Sequence, residues 1–285
     1  MTSTASTRAH GDLAEPQGGV GTPQREIEER HMKAVTWQGK RDVKVETVPD
    51  PTIQEPTDAI VRITSTGICG SDLHLYEVLG PFLDEGDILG HEPMGIVEEV
   101  GSGVSALKAG DRVVVPFNIS CGHCWMCTRG LYSQCETTQV KSEGKGAALF
   151  GFSRMYGQVP GGQAEYLRVP QAHFGPVKVP HGPPDDRFVY LSDVLPTAWQ
   201  AVEYAGVPQG GSLAVLGLGP IGEMCVRVAR QQGIERIFAV DRVPNDSSAL
   251  DPWARRSSTY RLTTRWSRRS GSIRRAVDRM PSSTP

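Results

Sequence analysis

The sequence has 285 residues, of which 38% are hydrophobic and 22% are charged, and its net charge is −2. This length allows about two globular domains, and no stretch approaches the roughly 20 apolar residues that would cross a bilayer. The first residues lack the apolar core of a secretory signal, so we expect a cytoplasmic location and six cysteines that bind metal rather than pair in disulfides.

The N-terminal segment, residues 1–31, is rich in Ser, Thr, Gly and charged residues and has no hydrophobic period. We expect this segment to be disordered. Order is predicted to begin at "MKAVTWQGKRDVKVETVPD", where β-prone residues alternate with charged ones. Because this stretch opens on Met32, translation could start there instead of at Met1.

Residues 32–190 contain short β-prone stretches, such as "AIVRITSTGI" and "DRVVVPF", separated by Gly and Pro. This spacing predicts a β-barrel or sandwich. The pattern changes at residue 191, where a helix-like stretch, "TAWQAVEYAGV", precedes a strand, a Gly turn, a helix and a strand that end at residue 241. That order predicts one βαβ unit.

Four of the six cysteines lie within fifteen residues, in "CGHCWMCTRGLYSQC". The spacing C-x2-C-x2-C-x7-C predicts a closed, structural Zn²⁺ site made by Cys121, Cys124, Cys127 and Cys135. An iron–sulfur cluster is the alternative, because it uses similar spacings. His123 is superfluous beside four thiolates, and we interpret it as a loop residue.

A second set of metal-binding residue types lies in "GICGSDLHLYEVLG" and "ILGHEPMG", which contain Cys69, His91 and Glu92. Taken alone, this set is weak, because a buried cysteine and a loop histidine explain it better than a metal site does. Its interpretation therefore depends on the surrounding motifs.

The chain resembles the zinc-dependent medium-chain alcohol dehydrogenases, in particular the branch related to formaldehyde dehydrogenases. Six motifs carry this resemblance and occur in the family's order over residues 32–241: "GICGSDLH", "GHEPMGIVEEVG", "GDRVVVP", the four-cysteine loop, "LSDVLPTAW" and "GLGPIG". The resemblance implies an α/β protein with a GroES-like, β-rich catalytic domain at residues 32–190. It also implies that a Rossmann domain starts at residues 191–241.

The resemblance also implies a catalytic zinc site. By motif position, Cys69, His91 and Asp193 would bind the metal and leave a fourth position for water or a substrate oxygen. Glu92 would be an alternate ligand, and Asp72 would accept a hydrogen bond from the His91 imidazole and orient it.

The implied chemistry is oxidation of an alcohol. Zinc would act as a Lewis acid that lowers the pKa of the substrate alcohol, so that hydride passes to NAD. A relay from Ser71 to His74 would carry the alcohol proton to solvent. Without the motif, these two residues would be interpreted as a loop hydroxyl and a surface histidine.

The motif Gly217-x-Gly219-x-x-Gly222 follows a predicted strand and opens a predicted helix, which is the context of a dinucleotide-binding turn. Asp241, 19 residues beyond Gly222, is placed to accept hydrogen bonds from the ribose and so to favour NAD over NADP. The cofactor-binding residues that we predict are Thr197, Gly217, Gly219, Pro220, Ile221, Gly222 and Asp241.

The segment after Asp241 departs from the family pattern. Residues 242–285 contain ten Arg and nine Ser against five Val, Leu or Ile, and their net charge is +7. Such a composition cannot bury a core, so we expect a disordered tail with no strand that extends the sheet. We interpret it as a frameshifted or wrongly assigned reading frame, which would leave the Rossmann domain incomplete.

Three functions follow from these patterns. The first is an NAD-dependent zinc dehydrogenase, binding two Zn²⁺ per chain, for a small alcohol, an aldehyde or a thiol–aldehyde adduct. The second is a catalytically inactive remnant that binds zinc without a complete nicotinamide site. The third, a nucleic-acid binder, depends on the Arg-rich tail alone and lacks a supporting motif.

We expect no nucleic-acid or membrane partner, and homo-oligomers in intact relatives. Zincless quinone reductases are disfavoured by the four-cysteine loop.

Overall fold

A computed structural model of the chain describes residues 30–241 and the strand at residues 260–263. The disorder expected for the N-terminal segment, and the choice between Met1 and Met32 as the start, concern residues that lie mainly outside this range. The same is true of the tail, except for that one strand. No helix in the described residues is long and apolar enough to cross a membrane.

The first unit is rich in β-structure and consists of two sheets and one helix. A two-stranded antiparallel sheet is formed by β1 (His31–Gly39) and β2 (Asp42–Pro49). A five-stranded antiparallel sheet has the order β6-β3-β4-β5-β7 and is formed by β3 (Ala59–Thr66), β4 (Pro93–Val100), β5 (Arg112–Val114), β6 (Tyr166–Val169) and β7 (Val177–Lys178). Helix α1 (Gly70–Glu77) follows β3.

The core of this unit comes from alternate residues of neighbouring strands, since every second side chain of a strand points to the same face. Val61, Val97, Val113 and Leu167 each contribute from a different strand and are almost fully buried, and Phe150 adds an aromatic ring from a connecting segment. The burial of these side chains fixes the positions of the strand ends. Two candidate metal-binding segments begin at those ends, one after β3 and one before β4.

The second unit contains two helices and a parallel sheet. Its elements are α2 (Val194–Ala205), β8 (Ser212–Leu216), α3 (Pro220–Gln231), β9 (Arg236–Asp241) and β10 (Tyr260–Thr263), and the strand order is β10-β9-β8. Its core joins Ala198 and Val202 of α2 to Ala229 of α3 and Ile237 of β9. The predicted fold class, a β-rich unit followed by an incomplete Rossmann domain, is confirmed.

The expectation of no strand after Asp241 is wrong at one place. Residues Tyr260–Thr263 pair in parallel with β9, with Tyr260 opposite Phe238 and Thr263 opposite Asp241. Residues 242–259 provide the dozen or more residues that a parallel crossover requires. The local stretch "YRLT" is also β-prone. The average composition of residues 242–285 does not show this, because Arg and Ser dominate the segment.

The sheet has an open edge at β8, which pairs only with β9 in the described part of the chain. The order β10-β9-β8 corresponds to strands 3-2-1 of a doubly wound sheet, in which a fourth strand pairs with the first. Leu216 of β8 is 79% exposed. The described strands therefore correspond to the first half of a doubly wound sheet.

A buried ion pair joins the five-stranded sheet to the segment that leads into α2. Arg112 of β5 is 7% exposed; its guanidinium donates to Asp185 and to the carbonyls of Pro180 and Pro183, at 2.8 Å or less in each case. The guanidinium also lies over the Phe188 ring, 5.2 Å from its centroid. Arg112 thus fixes the path of the chain between the two units.

Replacing Arg112 with methionine is expected to destabilise the protein by about 3–5 kcal/mol, because the variant leaves Asp185 without its cationic partner. Arg62 provides the control. Its ion pair with Glu98 is 45% exposed on both sides, so Arg62→Met should cost at most about 1 kcal/mol. Urea unfolding of both variants tests this difference, and equal losses would contradict it.

The ion pair should also make stability depend on pH. Burial would raise the pKa of Asp185, but hydrogen bonds from Thr64, Arg112 and Ser65 hold it below its ordinary value. A carboxylate whose pKa is lowered by folding contributes stability that is present above its unfolded pKa and is lost as the pH falls through its folded pKa. Asp185→Asn should therefore flatten the acid side of the stability profile.

Candidate metal centres

The first candidate centre brings together four residues from three separate segments. Cys69 immediately precedes α1, His91 and Glu92 precede β4, and Asp193 immediately precedes α2. Their ligand atoms all lie within 4.8 Å of one another. His91 and Glu92 are buried, and Cys69 and Asp193 are half-buried. One thiol, one imidazole and two carboxylates therefore converge on a single point.

The spacing of these atoms fits one shared zinc ion. His91 Nε2 lies 3.5 Å from Asp193 Oδ2. Two ligands at the usual Zn–N and Zn–O bond lengths, separated by the tetrahedral angle, are about 3.4 Å apart.

The electrostatics of this cluster favour a cation. Burial acts to lower the pKa of His91, but hydrogen bonds to Asp193, Asp72 and Cys69 outweigh it and raise that pKa to about 12. Burial likewise acts to raise the pKa of Asp193, whereas His91 and Thr197 lower it. The surrounding carboxylates therefore stabilise positive charge on the His91 imidazole.

Glu92 is held against the backbone of the Cys69 segment. A β-carbon at Gly67 would lie 2.0 Å from Glu92 Oε2, so only glycine leaves room for this carboxylate. Burial and the nearby charge of Asp193 raise the pKa of Glu92. The carboxylate is thus confined beside the other three candidate ligands.

Asp72 lies between the segment that carries Cys69 and the imidazole of His91. Its Oδ2 accepts the backbone N–H of Cys69 at 2.8 Å, and its Oδ1 lies 3.3 Å from His91 Nδ1. Because Cys69 is the N-cap and Asp72 the third residue of α1, this Cys69 N–H bond is half of a capping box. The role of orienting His91 stays a prediction.

The other predicted catalytic and cofactor residues near this centre lie on the two helices. Ser71 and His74 are both on α1, where Ser71 is half-buried and His74 is exposed. Thr197 lies on α2, and its hydroxyl donates to Asp193 Oδ1 at 2.5 Å. The predicted cofactor residue Thr197 is therefore also a hydrogen-bond partner of a candidate metal ligand.

The second candidate centre is the four-cysteine loop. All four sulfurs lie within 4.8 Å of one another, and all six cysteines are free thiols. Cys124 Sγ and Cys135 Sγ are 3.9 Å apart, close to the roughly 3.8 Å expected for two sulfurs in tetrahedral coordination at the usual Zn–S distance. Cys121, Cys127 and Cys135 are almost completely buried.

Hydrogen bonds around these sulfurs favour their thiolate form. Backbone N–H groups donate to Cys121, Cys124 and Cys135 at 3.3–3.5 Å, and the Thr137 hydroxyl donates to Cys121 at 3.1 Å. Despite burial, such bonds lower the pKa of Cys124 and of Cys135, whereas burial and the neighbouring Cys124 and Cys135 raise the pKa of Cys127 to about 12. His123, interpreted from the sequence as a loop residue, is exposed and contacts the Cys121 carbonyl at 2.9 Å.

The predicted nucleotide-binding turn lies between β8 and α3. Gly217 has φ +91°, Gly219 caps α3, and Pro220 is its first residue, followed by Ile221. Asp241 ends β9, and its Oδ2 accepts the Leu218 backbone N–H at 2.6 Å. A cleft of about 500 Å³ opens at the start of α3, lined by Tyr190, Val194, Leu218, Gly219, Pro220, Glu223, Met224 and Arg227.

Two glycines of this turn should respond differently to alanine. A β-carbon at Gly222 would lie 1.8 Å from the Gly217 carbonyl oxygen, whereas one at Gly219 would meet nothing within 4 Å. Gly222→Ala should therefore destabilise the protein by about 1–3 kcal/mol. Gly219→Ala should leave stability unchanged but weaken NADH binding at least about tenfold, because it blocks backbone approach to the pyrophosphate.

Unfolding curves and fluorescence titration with NADH test both variants. A stable Gly222→Ala variant would contradict the packing argument. A Gly219→Ala variant with unchanged NADH affinity would instead contradict the assignment of the turn to the pyrophosphate.

Known proteins share both the fold and the sequence of this chain. Residues 55–181 match the alcohol dehydrogenase GroES-like domain. The chain is 49% identical to an uncharacterized zinc-type alcohol dehydrogenase-like protein of Bacillus subtilis over 74% of its own length, and 37% identical to a glutathione-independent formaldehyde dehydrogenase of Pseudomonas aeruginosa over the same share. It spans 56% and 54% of those two relatives, about half their length.

Two further matches cover larger shares of the relatives. The chain is 34% identical to a medium chain reductase/dehydrogenase of Acremonium sp. and covers 70% of that protein and 74% of itself. The solved structure of the alcohol dehydrogenase TADH from Thermus sp. ATN1 superposes with a TM-score of 0.72 at 38% identity, over 81% of this chain and 63% of that one.

Proposed function

Because the chain belongs to the zinc-type alcohol dehydrogenases of the medium-chain family, we propose that it binds two zinc ions and transfers hydride between a small alcohol and NAD. A thiol–aldehyde adduct is the alternative substrate. The catalytic unit is residues 32–190, and the nucleotide-binding unit begins at residues 191–241.

One observation carries this proposal: the convergence of Cys69, His91, Glu92 and Asp193 within 4.8 Å. Three of these residues would hold a metal ion through one sulfur, one nitrogen and one oxygen atom. Three protein ligands leave a tetrahedral ion one open position, which is typical of catalytic rather than structural zinc. The four-cysteine cluster would complete its own coordination shell and so have a structural role.

Zinc bound at the first centre would supply Lewis acidity toward the oxygen of the alcohol. The protein's own residues would then manage the proton and the orientation. Asp72 would keep His91 in the tautomer whose Nε2 is free to bind the metal. Ser71, which is half-buried, and His74, which is exposed on the same helix, would take the alcohol proton outward to solvent.

The nucleotide would lie at the turn before α3. The backbone N–H groups at the start of this helix would face the pyrophosphate, and Gly219 would allow close approach. Asp241 would face the ribose from the end of β9. The six free cysteines are consistent with a reducing compartment such as the cytoplasm.

Zinc counting together with a turnover assay tests this function. Elemental analysis of the purified 285-residue chain should give two zinc ions per chain, and NAD⁺ reduction should be measured with short alcohols and with a thiol–formaldehyde adduct. Fewer than two zinc ions would refute the two-centre proposal.

The open edge of β8 favours a second candidate function, a zinc-binding protein without turnover. The second half of a doubly wound sheet builds much of the nicotinamide subsite, and the described residues contain only three parallel strands. Two zinc ions without any NAD⁺ reduction would support this second function. Turnover by the purified chain would refute it.

A further inference from the structure

The side chain of Gln163 reaches into the hydrogen-bond network behind the first metal centre. Its Nε2 lies 3.4 Å from Asp72 Oδ2 and 3.5 Å from the Gly67 carbonyl oxygen. Gly67 is two residues before Cys69, and Asp72 faces both Cys69 and His91. One amide group therefore bridges the segment that carries Cys69 and the carboxylate that faces His91.

The backbone of Gln163 is fixed on both sides. Its N–H donates to the Leu89 carbonyl at 2.9 Å, and its carbonyl accepts the Val35 N–H at 2.8 Å. The first bond ties Gln163 to the strand-like segment immediately before His91, and the second ties it to β1. The amide is thus held at a constant position relative to the His91 loop.

The neighbouring glycine makes room for this side chain. Gly90 has φ +100°, and a β-carbon there would lie 2.5 Å from Gln163 Cγ and 2.6 Å from its backbone nitrogen. Any larger residue before His91 would displace Gln163. The Gly90 and Gln163 segments can therefore approach each other closely only because residue 90 is glycine.

We infer that Gln163 is a positioning residue that holds Asp72, and through it Cys69 and His91, in the geometry that binds the catalytic metal. This inference rests on the proposed function. An amide N–H₂ is suited to the task because it donates to both the Asp72 carboxylate and the Gly67 carbonyl without adding charge. Outer hydrogen-bond partners of this kind commonly change metal affinity by about 10–100-fold.

Two substitutions of Gln163 distinguish the effect of its amide donor from the effect of its size and shape. Gln163→Met keeps the length and removes both donor hydrogens, whereas Gln163→Glu keeps the shape and places a second carboxylate against Asp72. We expect the zinc ion at the first centre to bind about tenfold more weakly in the methionine variant, and more weakly still in the glutamate variant. The four-cysteine zinc should stay bound in both.

Gln158 provides a matched control. Its amide donates to the carboxylates of Asp84 and Asp87 at 2.7–3.0 Å, so Gln158→Met also removes an amide–carboxylate contact. Neither aspartate is a candidate ligand. We expect this variant to bind both zinc ions as the unchanged protein does.

The experiment measures zinc content of the full chain after equilibration in a series of zinc buffers. The visible spectrum of the cobalt-loaded protein, minus that of cobalt-loaded His91→Ala, gives a second readout of the geometry at the first centre. The inference predicts weaker zinc binding at the first centre and a changed difference spectrum for both Gln163 variants. It predicts neither change for the Gln158→Met control.

Unchanged zinc binding and an unchanged spectrum in both Gln163 variants would overturn the inference and leave the proposed function intact. Equal loss of both zinc ions would also overturn it, because the defect would then be one of folding. A parent chain that binds one zinc ion or none would overturn the proposed function itself, and the inference with it.

Discussion

His91→Ala is expected to remove one of two zinc ions from the chain and to abolish any alcohol-dependent NAD⁺ reduction. His91 is 5% exposed and lies between Asp193 and Asp72, so no other imidazole among the described residues can replace it at this centre. Since the loss of an outer hydrogen-bond partner alone costs about 10–100-fold in metal affinity, the loss of a direct ligand should cost more.

Elemental analysis gives the result directly, as one zinc ion per chain instead of two. His181→Ala is the control, because His181 is exposed and belongs to neither cluster, and it should retain both ions. If the His91→Ala chain keeps two zinc ions, the assignment of His91 as a ligand is wrong. If it keeps none, the two centres are not independent.

Cys135→Ser is expected to have the larger effect on stability. Cys135 is fully buried, and its sulfur accepts the Cys121 N–H while lying 3.9 Å from the sulfur of Cys124. The loop has few regular elements, so its fold would depend on the metal. Structural zinc sites supply apparent binding free energies of about 10–16 kcal/mol in zinc-finger peptides.

We therefore expect Cys135→Ser to lose one zinc ion and to unfold at a temperature at least about 10 °C lower, since a loss of 1 kcal/mol shifts the midpoint by about 2–4 °C for a chain of this size. Cys225→Ser is the matched control. Cys225 is equally a buried thiol, but it lies in α3 and contacts the Ala198 carbonyl. It should keep both zinc ions, and equal zinc loss in the two variants would contradict the assignment.

The sequence was most informative where ligands are close in the chain. The four cysteines lie within fifteen residues, so their spacing alone predicts a common metal. Asp193 differs, because nothing local relates it to Cys69. Its place beside His91 depends on the segment before α2, where Leu191 packs in a cluster with Met94 and Val114 of the β-rich unit. Only the family resemblance predicts it.

Contacts made by ordinary polar residues could not be predicted from the sequence. Gln163 carries no metal-binding signature, and its reach toward Asp72 depends on a backbone fixed by Leu89 and Val35. Thr197 was predicted as a cofactor residue, yet its hydroxyl bonds Asp193. A pattern identifies residue types, whereas these partners are set by how the segments fold onto each other.

The strand Tyr260–Thr263 shows a second limit of sequence reasoning. Composition averaged over residues 242–285 predicts no strand, because Arg and Ser dominate the segment. Pairing with β9 supplies backbone hydrogen bonds that the average composition does not reflect. A four-residue strand is too short to change that average.

Anomalous X-ray diffraction at the zinc absorption edge tests the central claim most directly, because it locates each metal without a mutation or an assay. Crystals of the full chain should show two peaks, one among the four cysteine sulfurs and one between Cys69, His91 and Asp193. A single peak in the cysteine loop, with none between these three residues, would contradict the proposed catalytic centre.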